Sequence, residues 1–302
     1  MSSIDSNRPD PRRAGVADSS LEGKFFSESS RELARAVAER SQAVALLDKH
    51  GLQPLPAGIT ELMSLLQDPI GGVDRAKRLI EHDPVLAMHV IRAANSSFFS
   101  GISRVRSVQD AFVRMGPKRV LAVVAGAAAL GVLNDKSGTA ARVLQHCAAV
   151  ADVATAIAQG GEGETTLAAL VHDVGHLVIL QVSPGLRARI LEDGDHTSAL
   201  EETVLGFDHA VLGEIILERW GFPSVVSVAV GMHHATSRMF ENPGPSAVMA
   251  ARIRLAEFIV RCTSGGVVLP FVDVMALPEA AVAAVDQRVI ERILESGGVG
   301  SA

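Results

Sequence analysis

Apolar residues recur along this chain at steps of three and four and almost never in strict alternation, which confines it to helices. Leu33, Val37, Val44 and Leu47 set the pattern, with charges between them. Ser30 is the expected cap of that first helix, which should run to about His50 and stop at Gly51. Asp83-Pro84 marks another start, because Asp accepts orphan N–H groups and Pro at the first helical position lacks a donor that is not needed.

The same reading predicts helices near Ile59–Gln67, Val73–Glu81, Pro84–Ala94, Ser107–Met115, Pro117–Leu133, Ala140–Gln159, Thr165–Asp173 and Val174–Gln181. Others follow near Leu186–Glu192, Ser198–Leu205, Asp208–Trp220, Ser224–His234, Ser246–Cys262 and Glu279–Leu294. Gln53-Pro54-Leu55-Pro56 reads as a stiff extended linker. Val267-Val268-Leu269 is the only strand-like run, and Pro270 ends it. The expected fold is all-α. Residues 1–29, rich in Ser, Asp, Pro, Arg and Gly, read as a disordered tail.

Composition narrows the function classes. With 48% hydrophobic and 21% charged residues, the chain has the profile of a globular protein with a sizeable core. Lys and Arg total 28 against 34 Asp and Glu, and the aromatic side chains are ten Phe, one Trp and no Tyr. That leaves no basic excess for a phosphate backbone and few rings for stacking bases, so nucleic acid is not expected as the main ligand. The longest apolar run, Val120–Leu133, falls short of the ~20 residues a membrane span needs. No apolar core follows Arg8, Arg12 and Arg13, so no secretory signal is read there. Cys147 and Cys262 match no metal spacing and are expected as small buried residues in a reducing cytoplasm.

The chemistry-bearing residues are histidines. His172-Asp173 and His233-His234 are adjacent pairs, while His146 and His209 fall on separate predicted helices. Imidazole and carboxylate form a ligand set suited to Zn, Fe, Mn or Ni. Adjacent residues on a helix diverge by about 100°, so a His-Asp pair can straddle two ions, the carboxylate bridging and the imidazole serving one. Each histidine also has a plainer reading as a packing or capping residue.

The order His146, His172-Asp173, His209, His233-His234 resembles the HD superfamily of metal-dependent phosphohydrolases. The flanking residues resemble its HDOD family, the HD-related output domain of bacterial signalling proteins. The N-terminal signature is similar at Gln53-Pro54-Leu55-Pro56, at residues 79–86, at residues 90–96 and at residues 107–116. The C-terminal signature is similar at Leu170-Val171-His172-Asp173-Val174-Gly175, at residues 207–213, at Trp220-Gly221-Phe222-Pro223 and at His233-His234. The likeness spans roughly residues 45–262.

This resemblance implies a multi-helix HD-like bundle with an N-terminal helical subdomain packed on it. The HDOD domain would occupy residues 30–262, divided at about 45–135 and 138–262, with a one-helix extension over 263–302. It also implies one or two divalent ions (Fe, Mn, Zn or Ni) on His146, His172, Asp173, His209, His233 and His234. Glu257, in Ala256-Glu257, stands where the enzyme relatives carry a final Asp. His176 stands where a Lys commonly follows His-Asp-x-Gly, and is the candidate proton donor. A chain without tyrosine cannot carry the Gly-Tyr-Pro signature of cyclic dinucleotide phosphodiesterases.

The expected role is a cytoplasmic bacterial regulatory protein whose HDOD domain is an output or interaction module for signalling partners. The alternative is an active phosphohydrolase or phosphodiesterase on a nucleotide or cyclic dinucleotide. A nucleotide-sensing cleft would draw cations from Lys118, Arg119 and Arg142.

Overall fold

A computed structural model of the protein describes residues 19–51, 57–67, 72–95, 104–117, 120, 123–124, 139–159, 163–183, 186, 197–235, 240, 243–264 and 270–295. Among them every regular element is a helix. The predicted strand at 267–269, the linker at 53–56, most of Pro117–Leu133 and most of Leu186–Glu192 lie outside the described residues, as do Lys118, Arg119 and the side chain of Arg142.

Helix α1 spans Ser19–His50. It begins well before the cap expected at Ser30, so residues 19–29 are helical where an irregular tail was predicted. Leu21, Glu22, Lys24 and Glu28 are straight-chain helix formers, and no proline interrupts them; local propensity outweighs the missing apolar period. Gly51 ends the helix with φ of +69°, its N–H donating to the Leu47 carbonyl at 2.9 Å.

Four short helices follow: α2 (Ala57–Gln67), α3 (Gly72–His82), α4 (Pro84–Ala94) and α5 (Val108–Met115). They pack on one another through Leu62, Ala76, Ile80, Val90, Ala94 and Phe112. Asp83 caps α4 as its sequence predicts, accepting from the Leu86 N–H at 3.1 Å. Asn95 closes the end of α4 by donating from Nδ2 to the carbonyls of Ile91 and Val105, and accepts from the Val105 N–H at 2.8 Å.

The second group holds the long-range packing. It comprises α6 (Thr139–Ile157), α7 (Gly163–Val171), α8 (Val174–Val182), α9 (Thr197–Leu205), α10 (His209–Arg219), α11 (Ser224–Met232) and α12 (Pro245–Ser264). Helices α6 and α7 form a hairpin, tied internally by the buried Thr155 and Thr166 hydroxyls 2.7 Å apart. Helix α12 lies against α6, α7 and α11, and α10 lies against α8, α11 and α1. The α1–α10 contact is laced by ion pairs of Arg40 with the buried Glu214 and with Glu218 and of Arg219 with Asp48, the latter two exposed and worth roughly 0–1 kcal/mol each.

The C-terminal extension departs from the single helix expected over Glu279–Leu294. It contains α13 (Phe271–Met275), α14 (Pro278–Val282) and α15 (Gln287–Glu295). The break falls at Ala284, which takes φ of +50°, and Asp286 then accepts from the Arg288 N–H to start α15. Helix α14 rests on α12 and α15 on α6, with Arg254 of α12 donating to the buried Glu279 at 2.6 Å.

One close approach sets the geometry of the second group. A Cβ at Gly175, on the first turn of α8, would sit 2.1 Å from the His209 carbonyl oxygen and 2.7 Å from the Gly213 nitrogen. Both obstacles are backbone, so no rotamer change can relieve them. Gly175→Ala should therefore cost about 1–3 kcal/mol by forcing α8 and α10 apart. A thermal melt lowered by several degrees checks this, and an unchanged Tm would show the helices free to separate.

Candidate metal centre

His172 and Asp173 occupy the turn between α7 and α8. The α7 stripe Leu167, Ala168, Ala169 and Val171 is buried, and it carries His172 to complete burial at the helix end. The last carbonyls of a helix have no partner within it. His172 uses one of them: its Nδ1 lies 2.7 Å from the Ala169 oxygen. His233, just past α11, repeats the device with Nδ1 2.6 Å from the Val230 oxygen. In both rings the second nitrogen, Nε2, is buried and has no hydrogen-bond partner.

Asp173 stands before α8 but makes no side-chain cap bond. Its carboxylate turns instead to the histidines. Oδ1 is 3.5 Å from His172 Nε2 and 3.3 Å from His209 Nε2, and Oδ2 is 3.8 Å from His146 Nε2. Asp208 caps α10 through the Val211 N–H at 3.0 Å and sets His209 in the first turn, as its sequence predicts.

Two sets of donors converge around Asp173. One is His146, His172 and Glu257; the other is His209, His233 and His234. Within each set the ligand atoms lie within 4.8 Å of one another. Glu257 Oε1 is 3.7 Å from His146 Nε2 and 3.6 Å from His172 Nε2. His234 Nε2 and His209 Nε2 face each other at 3.0 Å. Every metal-ligand candidate of the sequence thus falls in one cleft. Arg254, one helical turn before Glu257, turns instead to Glu279.

His176, the candidate proton donor, lies outside both sets. Its Nδ1 is 2.8 Å from Oε1 of Glu201, a fully buried carboxylate of α9. The other oxygen of Glu201 accepts from the His209 backbone N–H at 2.8 Å and lies 2.7 Å from His209 Nδ1. Sequence reasoning missed Glu201. It also set Cys147 aside, yet the buried thiol stands with His172 and Asp173 within ligand-atom distances of 4.8 Å.

The electrostatics follow from burial and pairing. Burial penalises the Asp173 charge, but His172, His209 and His146 hold its carboxyl well below the usual range. Burial likewise opposes Glu257, and the nearby His146 and His172 rings override it, holding its carboxyl well below the usual range. Glu201, against the same penalty, is drawn down to about 2 by His209 and His176. His172 and His209 are each raised well above the ordinary imidazole value despite burial, by Asp173 and by Glu201 respectively. His233 goes the other way, to about 3, because burial and then the neighbouring His234 disfavour its charge; His234 falls to about 4 through burial and His209.

The donor set fits divalent ions on chemical grounds. Orphaned, buried imidazole nitrogens are costly unless something binds them, and His172 and His233 each aim one into the cleft. Nitrogen and carboxylate donors suit Zn, Fe, Mn or Ni.

A family profile for the HDOD domain matches residues 52–236. No curated relative is similar enough in sequence to match. Among solved structures, the fold is shared with a protein of Shewanella amazonensis SB2B provisionally named a phosphohydrolase. That likeness has a TM-score of 0.68 at 23% identity and covers 85% of this chain and 96% of the other. An HDOD domain protein of unknown function from Geobacter sulfurreducens matches at TM-score 0.70 and 20% identity, over 86% and 94% of the two chains. A protein of Marinobacter aquaeolei VT8, provisionally named a signal transduction protein, matches at TM-score 0.62 and 23% identity, over 87% of this chain and 63% of that one. With the family profile spanning more than half of its length and the all-helical fold of such proteins in its structure, the chain belongs to the HDOD domain family.

Proposed function

We propose that this chain is a bacterial signalling protein whose HDOD domain acts as an output or interaction module around a retained two-ion metal centre. The observation that carries the metal is the pair of buried, unpartnered Nε2 atoms on His172 and His233, each ring locked by its Nδ1 bond to a backbone carbonyl. His146, His172 and Glu257 would hold one ion; His209, His233 and His234 would hold the other, with Asp173 between them. Signalling proteins are the partners this reading expects, with a nucleotide as the small-molecule alternative. No helix among the described residues is long and apolar enough to cross a membrane. The free Cys147 and Cys262 suit the reducing cytoplasm proposed for it.

The second reading is phosphohydrolysis, on a nucleotide or another phosphate ester. Asp173 favours it, because one carboxylate reaching both donor sets is what an in-line displacement between two cations needs. Ions held there would polarise a phosphoryl oxygen and ease the ionisation of water. The protein's own part is positioning: carbonyl-anchored rings at His172 and His233, and a carboxylate-anchored ring at His209. His176, in place of the lysine of enzyme relatives, is held through Nδ1 by Glu201 and would have Nε2 to hold a proton.

Elemental analysis of untagged protein purified without chelator separates these readings from an empty cleft. About one or two ions per chain are expected, lost in the His172→Ala/Asp173→Ala double variant. A folded, metal-free wild type would refute the metal centre. Loaded protein that cleaves bis(p-nitrophenyl) phosphate, with turnover abolished in His209→Ala, would establish the hydrolase; loaded protein without turnover leaves the interaction module.

Proton release offers an independent check. Ligand histidines bind metal only when neutral. His172 and His209, with raised pKa values, carry protons at neutral pH that an ion must displace, whereas His233 and His234 are already neutral. Loading stripped protein near pH 7 should therefore liberate about two protons, and affinity should rise with pH as those rings deprotonate. Calorimetry in two buffers of different ionisation enthalpy measures the number, and zero protons would contradict the assignment.

A further inference from the structure

His172 and His233 follow helices, where carbonyls point forward and are free to accept. His209 opens a helix, where the backbone offers donors and no acceptor. Its ring therefore needs a side-chain acceptor, and the preceding helix supplies one. Glu201 is completely buried, and its Oε2 takes both the backbone N–H of His209 and the ring Nδ1. One residue is thus gripped at main chain and side chain by a single oxygen. The other oxygen lies against His176 Nδ1.

We infer that Glu201 is a positioning residue: it fixes the His209 ring with its proton on Nδ1, turning Nε2 toward Asp173, His233 and His234. The inference rests on the two-ion reading for its consequence, and on hydrogen-bond geometry alone for its cause. Of the proposed ligands Glu201 bonds His209, so it supports that one position and leaves His146, His172 and Glu257 alone. A carboxylate behind a ligating imidazole orients the ring and raises its basicity. The carbonyls behind His172 and His233 carry no charge, so the His209 position is the one whose strength depends on a buried anion. Glutamine has the same shape but only one acceptor oxygen. Its amide would confront an N–H of His209 or His176 with another donor.

The test is zinc titration of the stripped full-length protein and Glu201→Gln, alongside 15N spectra of the histidine rings. Wild type is expected to take up about two ions and the variant to hold one of them about 10- to 100-fold more weakly. The Nδ1–H signal of His209 should be lost or displaced in the variant. If the variant binds both ions as tightly as wild type, Glu201 merely fills space and the inference is overturned, with the metal centre intact. If wild type binds no zinc, the two-ion reading fails, and ring spectra at alkaline pH decide the role of Glu201. Loss of the Nδ1–H form in the variant then supports positioning; an unchanged ring refutes it. Should Glu201→Gln not fold, wild type alone decides, since a neutral His209 protonated at Nε2 contradicts the assignment.

Discussion

The contact of two helix beginnings at backbone distance is the constraint on which the cleft depends. Gly175 on α8 lets the His209 carbonyl and the Gly213 nitrogen of α10 come where any side chain would stand. That closeness carries Asp173, immediately before α8, to within 3.3 Å of the His209 ring. Helix α11 packs against α10 and delivers His233 and His234; α12 packs against α6, α7 and α11 and delivers Glu257. The donors come from five places in the chain, and all are fixed by ends or faces of helices whose apolar sides are buried. A loop-built cluster would lack this rigidity.

Charge balance inside the cleft is equally constrained. Asp173, Glu201 and Glu257 are three buried or nearly buried carboxylates, and among the described residues their ion-pair partners are all imidazoles. Arg254, the nearest guanidinium in sequence to Glu257, is committed to Glu279 and the His233 carbonyl. Histidine is the one partner that can surrender its charge near neutrality. Buried carboxylates paired with arginine would keep their cation permanently; paired with histidine, they can exchange a proton for something else.

Much of this was legible in the chain, for reasons that can be named. Helix ends carrying Asp83, Asp208 and Gly51 announce themselves because caps act within a few residues of their own position. The ligand candidates stood out because His-Asp and His-His pairs sit at the ends of apolar runs. Glu201 did not, and α9 shows why. On that helix Val204, one turn further on, is 46% exposed while Glu201 is fully buried, so side-chain polarity does not mark the buried position. Its partners, His176 and His209, are distant in sequence and reach it only through the fold. The early start of α1 and the break at Ala284 escaped for a different reason. The first rests on propensity without periodicity, and the second on a positive φ that alanine does not advertise.

Solvent reaches the two donor sets unequally. His172 and His233 are sealed, but His146 keeps 32% of its side-chain surface exposed and His234 is partly open. These two belong to different sets. Each donor set therefore meets solvent through an imidazole of its own, even though Asp173 lies within 3.8 Å of rings in both.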